Sequence, residues 1–137
     1  MTALKPFRID NFDVFCSDAA AMTAFYHQVL GLPFFLPYEE SEGWAALQAG
    51  DVTIYVFESP GEHPAPRSNV TEDNPPGIDS FAFAVNDVDA AVAELDGKVK
   101  WAGEEERWDH PSGTWYRYRS FHDPEGNLLH VTEPHKR

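Results

Sequence analysis

Residues 9–30, IDNFDVFCSDAAAMTAFYHQVL, lie over residues 78–99, IDSFAFAVNDVDAAVAELDGKV, without a gap. Ile9, Asp10, Phe12, Asp18, Ala21 and Ala24 fall on Ile78, Asp79, Phe81, Asp87, Ala90 and Ala93. A repeat at this spacing constrains the chain to build one supersecondary unit twice. With 137 residues there is room for one domain with a hydrophobic core, or for two small units, and for no more.

The structural signals repeat with the residues. In each copy a strand with alternating apolar positions (Phe12, Val14, Cys16; Phe81, Phe83, Val85) runs into an aspartate, Asp18 or Asp87, placed to cap a helix by accepting the free N–H groups of its first turn. Met22, Phe25, Tyr26, Val29 and Leu30 form the apolar stripe of the first helix, and Ala90, Ala91, Ala93 and Leu95 that of the second. Gly31 and Gly97 stop them.

Three strand-like segments follow each helix: 33–38, 44–49 and 52–58 in the first copy, 99–106, 114–121 and 127–133 in the second. Their turns are AGD at 49–51, DHPSG at 109–113 and DPEG at 123–126. The stretch 59–77, SPGEHPAPRSNVTEDNPPG, is too rich in proline and polar groups for a core element and reads as a linker. The chain is therefore α+β, with one βαβββ module at 7–58 and a second at 78–134.

This doubled module, the "FYHQVLGL" ending the first helix and the closing "FHDPEGNLLHVTE" resemble the vicinal oxygen chelate superfamily of glyoxalases, bleomycin-resistance proteins and extradiol dioxygenases. The resemblance covers about residues 7 to 134. It implies a single domain over 1–137 whose modules form a cupped, incomplete barrel, with a divalent metal or an organic ligand held in the cavity. It also implies a homodimer.

Strand period decides which side chains face the cup, because the other face must pack on the helix. Phe12, Val14 and Cys16 take the helix side, leaving Asn11, Asp13 and Phe15 for the cup. By the same rule Ser80, Ala82 and Ala84 face inward from their strand, and Tyr55, Phe57, Leu128, His130 and Thr132 from the last strands.

Metal-binding members of the superfamily place His, Gln or Glu at four positions that here hold Asn11, Tyr55, Ser80 and His130. A Zn²⁺ or Fe²⁺ site needs about three ligands of His, Cys or carboxylate type. His130 is the one such residue among the four, so no metal and no cofactor is expected. The alternative is one divalent ion with His130 as a ligand.

His130 itself is open between a hydrogen-bonding group in a ligand cavity, a satisfied core histidine and a metal ligand. Trp44, Trp101, Trp108 and Trp115 stand in or beside the later strands, and Trp108 and Trp115, flanking the 109–113 turn, are placed to overhang the cup mouth. Arg117 and Arg119 alternate with Tyr116 and Tyr118, which makes one face of that strand basic, either for salt bridges or for an anionic ligand.

Composition narrows the partners. Lys plus Arg is 10 against 23 Asp plus Glu, a formal charge of −13 that repels phosphate backbones and anionic membranes. The start, MTALKPFRID, has no secretory h-region, no apolar run reaches spanning length, and Cys16 stands alone, so no nucleic acid, no membrane and a cytoplasmic location are expected. The resulting expectation is a metal-free binder of a small cationic or aromatic compound, in the manner of bleomycin-resistance proteins. A metal-dependent lyase, isomerase or dioxygenase is the alternative, and an accessory domain whose cup is filled by its own side chains is a third.

Overall fold

A computed structural model describes residues 8–59 and 77–137 and divides the chain into two compact units, 1–62 and 63–137. In the first unit β1 (Asn11–Cys16) leads to α1 (Ala19–Ala24), which continues as one π-helical turn (Phe25–Val29). Then come β2 (Phe34–Glu39), β3 (Trp44–Ala49) and β4 (Val52–Glu58). The sheet order is β1-β4-β3-β2, with β1 parallel to β4 and the other pairs antiparallel.

The second unit repeats this plan with β5 (Ser80–Ala84), α2 (Val88–Leu95), β6 (Lys100–Trp101), β7 (Glu106–Asp109), β8 (Trp115–His122) and β9 (Leu128–His135). Its order is β5-β9-β8, with β6 and β7 both pairing the free edge of β8. Neither sheet closes into a barrel. The expected linker, apart from its end residues 59 and 77, lies outside the described residues.

The repeated aspartates act as caps. Asp18 Oδ1 accepts from the Ala21 N–H at 3.0 Å, and Asp87 Oδ1 from the N–H groups of Asp89 and Ala90 at 2.9 and 3.4 Å. Gly31 ends the first helix at φ +76°, a left-handed conformation that costs a side-chain-bearing residue energy, while the Leu32 N–H returns to the Tyr26 carbonyl.

Two expectations need correction. The strand read over 99–106 is two short strands, because the chain leaves β8 after Trp101, passes Gly103 and rejoins β8 at Glu106. The packed stripe of α2 runs through buried Val88 and Leu95 and half-buried Ala91 and Val92, with Ala90 and Ala93 exposed. Small alanines gave little contrast, and the helical period is carried by the larger Val88 and Leu95, seven residues apart.

Each helix packs on the face of its sheet predicted by strand alternation. Met22 of α1 and Tyr26 of the π-helical turn are fully buried, as are Leu47, Ile54 and Val56 of their sheet. In the second unit Val88, Phe121 and Leu129 are fully buried and Val131 nearly so. Among the described residues no helix of the same unit covers the opposite face of each sheet, which carries the candidate site residues.

Candidate functional site

On the first sheet, Asn11, Asp13 and Phe15 project from β1, and Tyr55 and Phe57 occupy the matching positions of β4. Asn11 Nδ2 donates to Asp13 Oδ1 at 2.9 Å. Beside this pair lies an aromatic ladder. The Tyr55 and Phe57 rings stack at 6.1 Å, Trp44 packs 5.9 Å from Phe57, and Phe15 lies 6.0 Å from it on the other side. Trp44 enters because β3 pairs it directly with Phe57.

On the second sheet, register brings Ser80, Ala82 and Ala84 of β5 beside Leu128, His130 and Thr132 of β9, and these beside His122, Ser120 and Tyr118 of β8. Trp108 and Glu106 of β7 stand opposite Tyr116 and Tyr118. A cavity of about 320 Å³ opens here, lined by Ala82, Trp108, Tyr116, Tyr118, His130 and Thr132. Four rings line it, with Trp108 5.6 Å from Tyr116 and Tyr118 edge-on to His130 at 5.6 Å. The alanine at 82 leaves the space.

His130 is bound at both nitrogens. Ser120 Oγ shares a 2.6 Å hydrogen bond with Nδ1, and Ser80 Oγ a 3.0 Å bond with Nε2. A neutral imidazole has one donor and one acceptor, and a hydroxyl can take either part, so the two serines satisfy it completely without charge. Burial pushes the His130 pKa below its ordinary value, against the opposing pull of Asp79 and Glu106. The Tyr118 hydroxyl is hydrogen-bonded to the Glu106 carboxylate, which with partial burial raises its pKa.

Of the residues expected at a site, Asn11, Asp13, Phe15, Tyr55 and Phe57 share one face of the first unit, and Ser80, His130 and Trp108 share one face of the second. Leu128 lies on that second face, but not on the cavity wall. Trp115 does not overhang the cup. It points to the other face of β8, where its ring stacks 3.8 Å from His135 beneath the Arg107 guanidinium. The reason is parity: Trp115 and Trp108 flank one turn, but Trp108 pairs with Tyr116, one residue out of step with Trp115.

The same parity settles the basic face. Arg117 Nη2 lies 3.2 Å from Asp89 and 3.8 Å from both Asp87 and Glu133, and its Nε 3.7 Å from Glu105. Arg119 donates to the Gly103 carbonyl and lies over the Trp101 ring. Both arginines serve the helix side of the sheet, which leaves Tyr116 and Tyr118 to the cavity. Those tyrosines line the cavity, with Glu106 next to Tyr118, and the motif reading passed over all three. The alternation in WYRYRS was the signal, once the arginines had been assigned a face.

The residues do not fit a superfamily-type metal. Of the four positions Asn11, Tyr55, Ser80 and His130, only His130 offers a donor of the type that holds Zn²⁺ or Fe²⁺. Among the described residues no three His, Cys, Asp or Glu side chains group closely enough to hold an ion. Among them, too, no helix is long and apolar enough to cross a membrane.

A family model described as Glyoxalase/Bleomycin resistance protein/Dioxygenase superfamily matches residues 8–131. No protein among the curated sequences is significantly similar. Solved structures share the fold. A glyoxalase/dioxygenase from Nostoc punctiforme has a TM-score of 0.72 at 16% identity, covering 99% of this chain and 97% of its own. Lactoylglutathione lyase from Agrobacterium tumefaciens has a TM-score of 0.63 at 24% identity, covering 93% and 94%. TioX from Micromonospora sp. ML1 has a TM-score of 0.65 at 17% identity, covering 92% and 98%.

Proposed function

The chain belongs to the Glyoxalase/Bleomycin resistance protein/Dioxygenase superfamily, and on that premise we propose that it binds a small flat organic compound in the cavity of its second unit, without a metal ion. The observation that carries this reading is the double engagement of His130. Its two nitrogens, the groups that would meet a metal, are held by Ser80 and Ser120. A metal would have to displace one serine and, among the described residues, would still lack two further strong ligands.

What the cavity offers instead is ring surface. Trp108, Tyr116 and Tyr118 present three aromatic walls around a volume that accommodates a compound of one or two rings. In this reading Thr132 supplies a hydroxyl for orientation, and His130 contributes the edge of a neutral ring. Exposed Phe34, Phe35 and Leu36 on the edge strand β2 give the chain a surface for pairing with a second copy. A homodimer is expected, with sedimentation equilibrium as its measurement.

The test of binding is a thermal-shift panel of one- and two-ring aromatic compounds on chelator-treated protein, with elemental analysis of the untreated preparation. A ligand present at about 100 times its dissociation constant should stabilise the protein by about 2.7 kcal/mol. Stabilisation that is unaffected by Zn²⁺, Mn²⁺, Fe²⁺ or Ni²⁺ supports the proposal. Close to one ion per chain, lost in His130→Ala, overturns it in favour of a metal-dependent lyase, isomerase or dioxygenase.

A further inference from the structure

We infer that the cavity of the second unit selects an organic cation, of the substituted-ammonium type, seating the charge against the faces of Trp108 and Tyr116 beside the Glu106 carboxylate. This rests on the binding reading above and narrows it to one class of ligand.

The rings alone would accept any flat compound. Three features of the same face add a sign to that preference. Glu106 and Trp108 occupy alternate positions of β7 and so project to one side, and Glu106 stands directly across from Tyr118, whose hydroxyl it holds. The carboxylate thereby stands next to Tyr118, a wall of the cavity, on the same face as Trp108. The aromatic faces carry the negative part of their quadrupoles, which attracts a cation placed over them.

The arginines of β7 and β8 are directed elsewhere. Arg107, Arg117 and Arg119 take the intervening positions of β7 and β8 and point to the opposite face. There Arg107 chelates Asp109 and covers Trp115, Arg117 faces carboxylates, and Arg119 covers Trp101. His130 stays uncharged because burial disfavours its protonation. The cavity wall is made of rings and hydroxyls, with the Glu106 carboxylate next to Tyr118, in a chain of net charge −13 that raises the local concentration of cations.

The test uses three probes of one shape: benzyltrimethylammonium, its neutral isostere neopentylbenzene, and the anion benzylsulfonate. Affinities are read by tryptophan fluorescence and calorimetry on the full chain and on Glu106→Gln and Trp108→Ala. Glutamine keeps an acceptor oxygen for Tyr118 and removes only the charge. The expected result is about a ten-fold preference for the cation over the neutral probe, no measurable binding of the anion, a preference cut several-fold in Glu106→Gln, and weaker cation binding in Trp108→Ala. A neutral or anionic probe that binds as tightly as the cation overturns the inference while the binding reading stands. If no probe binds, both fall.

Discussion

Ser80 and Ser120, forty residues apart in sequence, hold the two nitrogens of one imidazole, His130, from opposite neighbouring strands at 3.0 and 2.6 Å. The arrangement ties β5, β9 and β8 together across the floor of the second cup. Its energetic meaning follows from desolvation: a half-buried ring nitrogen that loses its partner keeps the cost of leaving water and gains nothing back. Ser120→Ala and Ser80→Ala should therefore each destabilise by about 1 to 2 kcal/mol, with the shorter Ser120 bond costing more. In a double-mutant cycle with His130→Ala, urea unfolding should show a coupling of at least about 0.5 kcal/mol for each serine. Additive losses would mean that the hydroxyls merely fill space.

The same imidazole sets a pH dependence. Burial lowers its folded pKa below the ordinary 6.5, so between those two values the unfolded chain binds more protons than the folded one. Stability then rises with pH in that window. The contribution of His130 is fully present above pH 6.5 and is lost as the pH falls toward the depressed value. Asp79 and Glu106 pull the other way and narrow the window without reversing it. Urea midpoints measured from pH 8 to 5 should fall on acidification below 6.5, and fall less in His130→Gln, which keeps polar contact with both serines and does not titrate. Glu133 does not confuse the reading, since the hydrogen bonds from His135 and the Val88 N–H lower its pKa below 4.5, into a more acid range. Equal slopes in the two proteins would remove His130 from the account.

Why so much of this fold was legible in the sequence can be traced to particular residues. Phe12, Val14 and Cys16 alternate with polar or exposed positions, and a strand with one packed face has a single solution for such a pattern. Asp18 and Asp87 mark helix starts because a carboxylate at that position has a specific job. By contrast, the break between β6 and β7 has no strong residue signal, since Gly103 among glutamates reads equally as strand or turn. Nearness to a turn says nothing about parity, so it does not place Trp115, and only the pairing of Trp108 with Tyr116 settles which tryptophan faces the cup. The cavity walls Tyr116 and Tyr118 are visible only after the arginines between them have been given to the other face.

That other face makes its own prediction. Arg117 sits among Asp87, Asp89, Glu105 and Glu133 at distances of 3.2 to 3.8 Å. Its Nε and Nη2 atoms are buried without a well-formed hydrogen bond, so the contacts act mainly through charge. Burial opposes the charged guanidinium, and the carboxylates of Asp89, Glu105 and Glu133 outweigh it, leaving the pKa above the ordinary arginine value. Removing the cation would leave four carboxylates facing one another at the start of α2. Arg117→Gln should lower the melting temperature more than Arg119→Gln, whose partner set is one carbonyl, one ring and one exposed glutamate. Raising salt from 0.05 to 1 M should recover much of the Arg117→Gln deficit, because screening shortens the reach of the repulsion to about 3 Å. A deficit insensitive to salt would point to lost packing of the arginine stem instead.

Asp123 closes the turn between β8 and β9, and its placement explains why that turn can fix the register of the cup. The residue is buried, 4% exposed, and its carboxylate takes three hydrogen bonds: from the N–H groups of Glu125 and Asn127 at 2.9 Å each, and from Asn127 Nδ2 at 2.8 Å. Gly126 completes the turn at φ +85°, donating its N–H to the Asp123 carbonyl. The turn therefore sets the offset at which Ser120 meets His130 and Tyr118 meets Thr132. Asp123→Ala strips the buried donors of their acceptor and should cost about 3 kcal/mol in urea unfolding. Asp123→Asn retains one acceptor oxygen and should cost about half as much. Because a slip of one residue would turn the cup side chains to the wrong face, Asp123→Ala should also weaken any ligand that binds against Tyr118 and His130. A folded Asp123→Ala protein with unaltered stability would show that the strands hold their register without the turn.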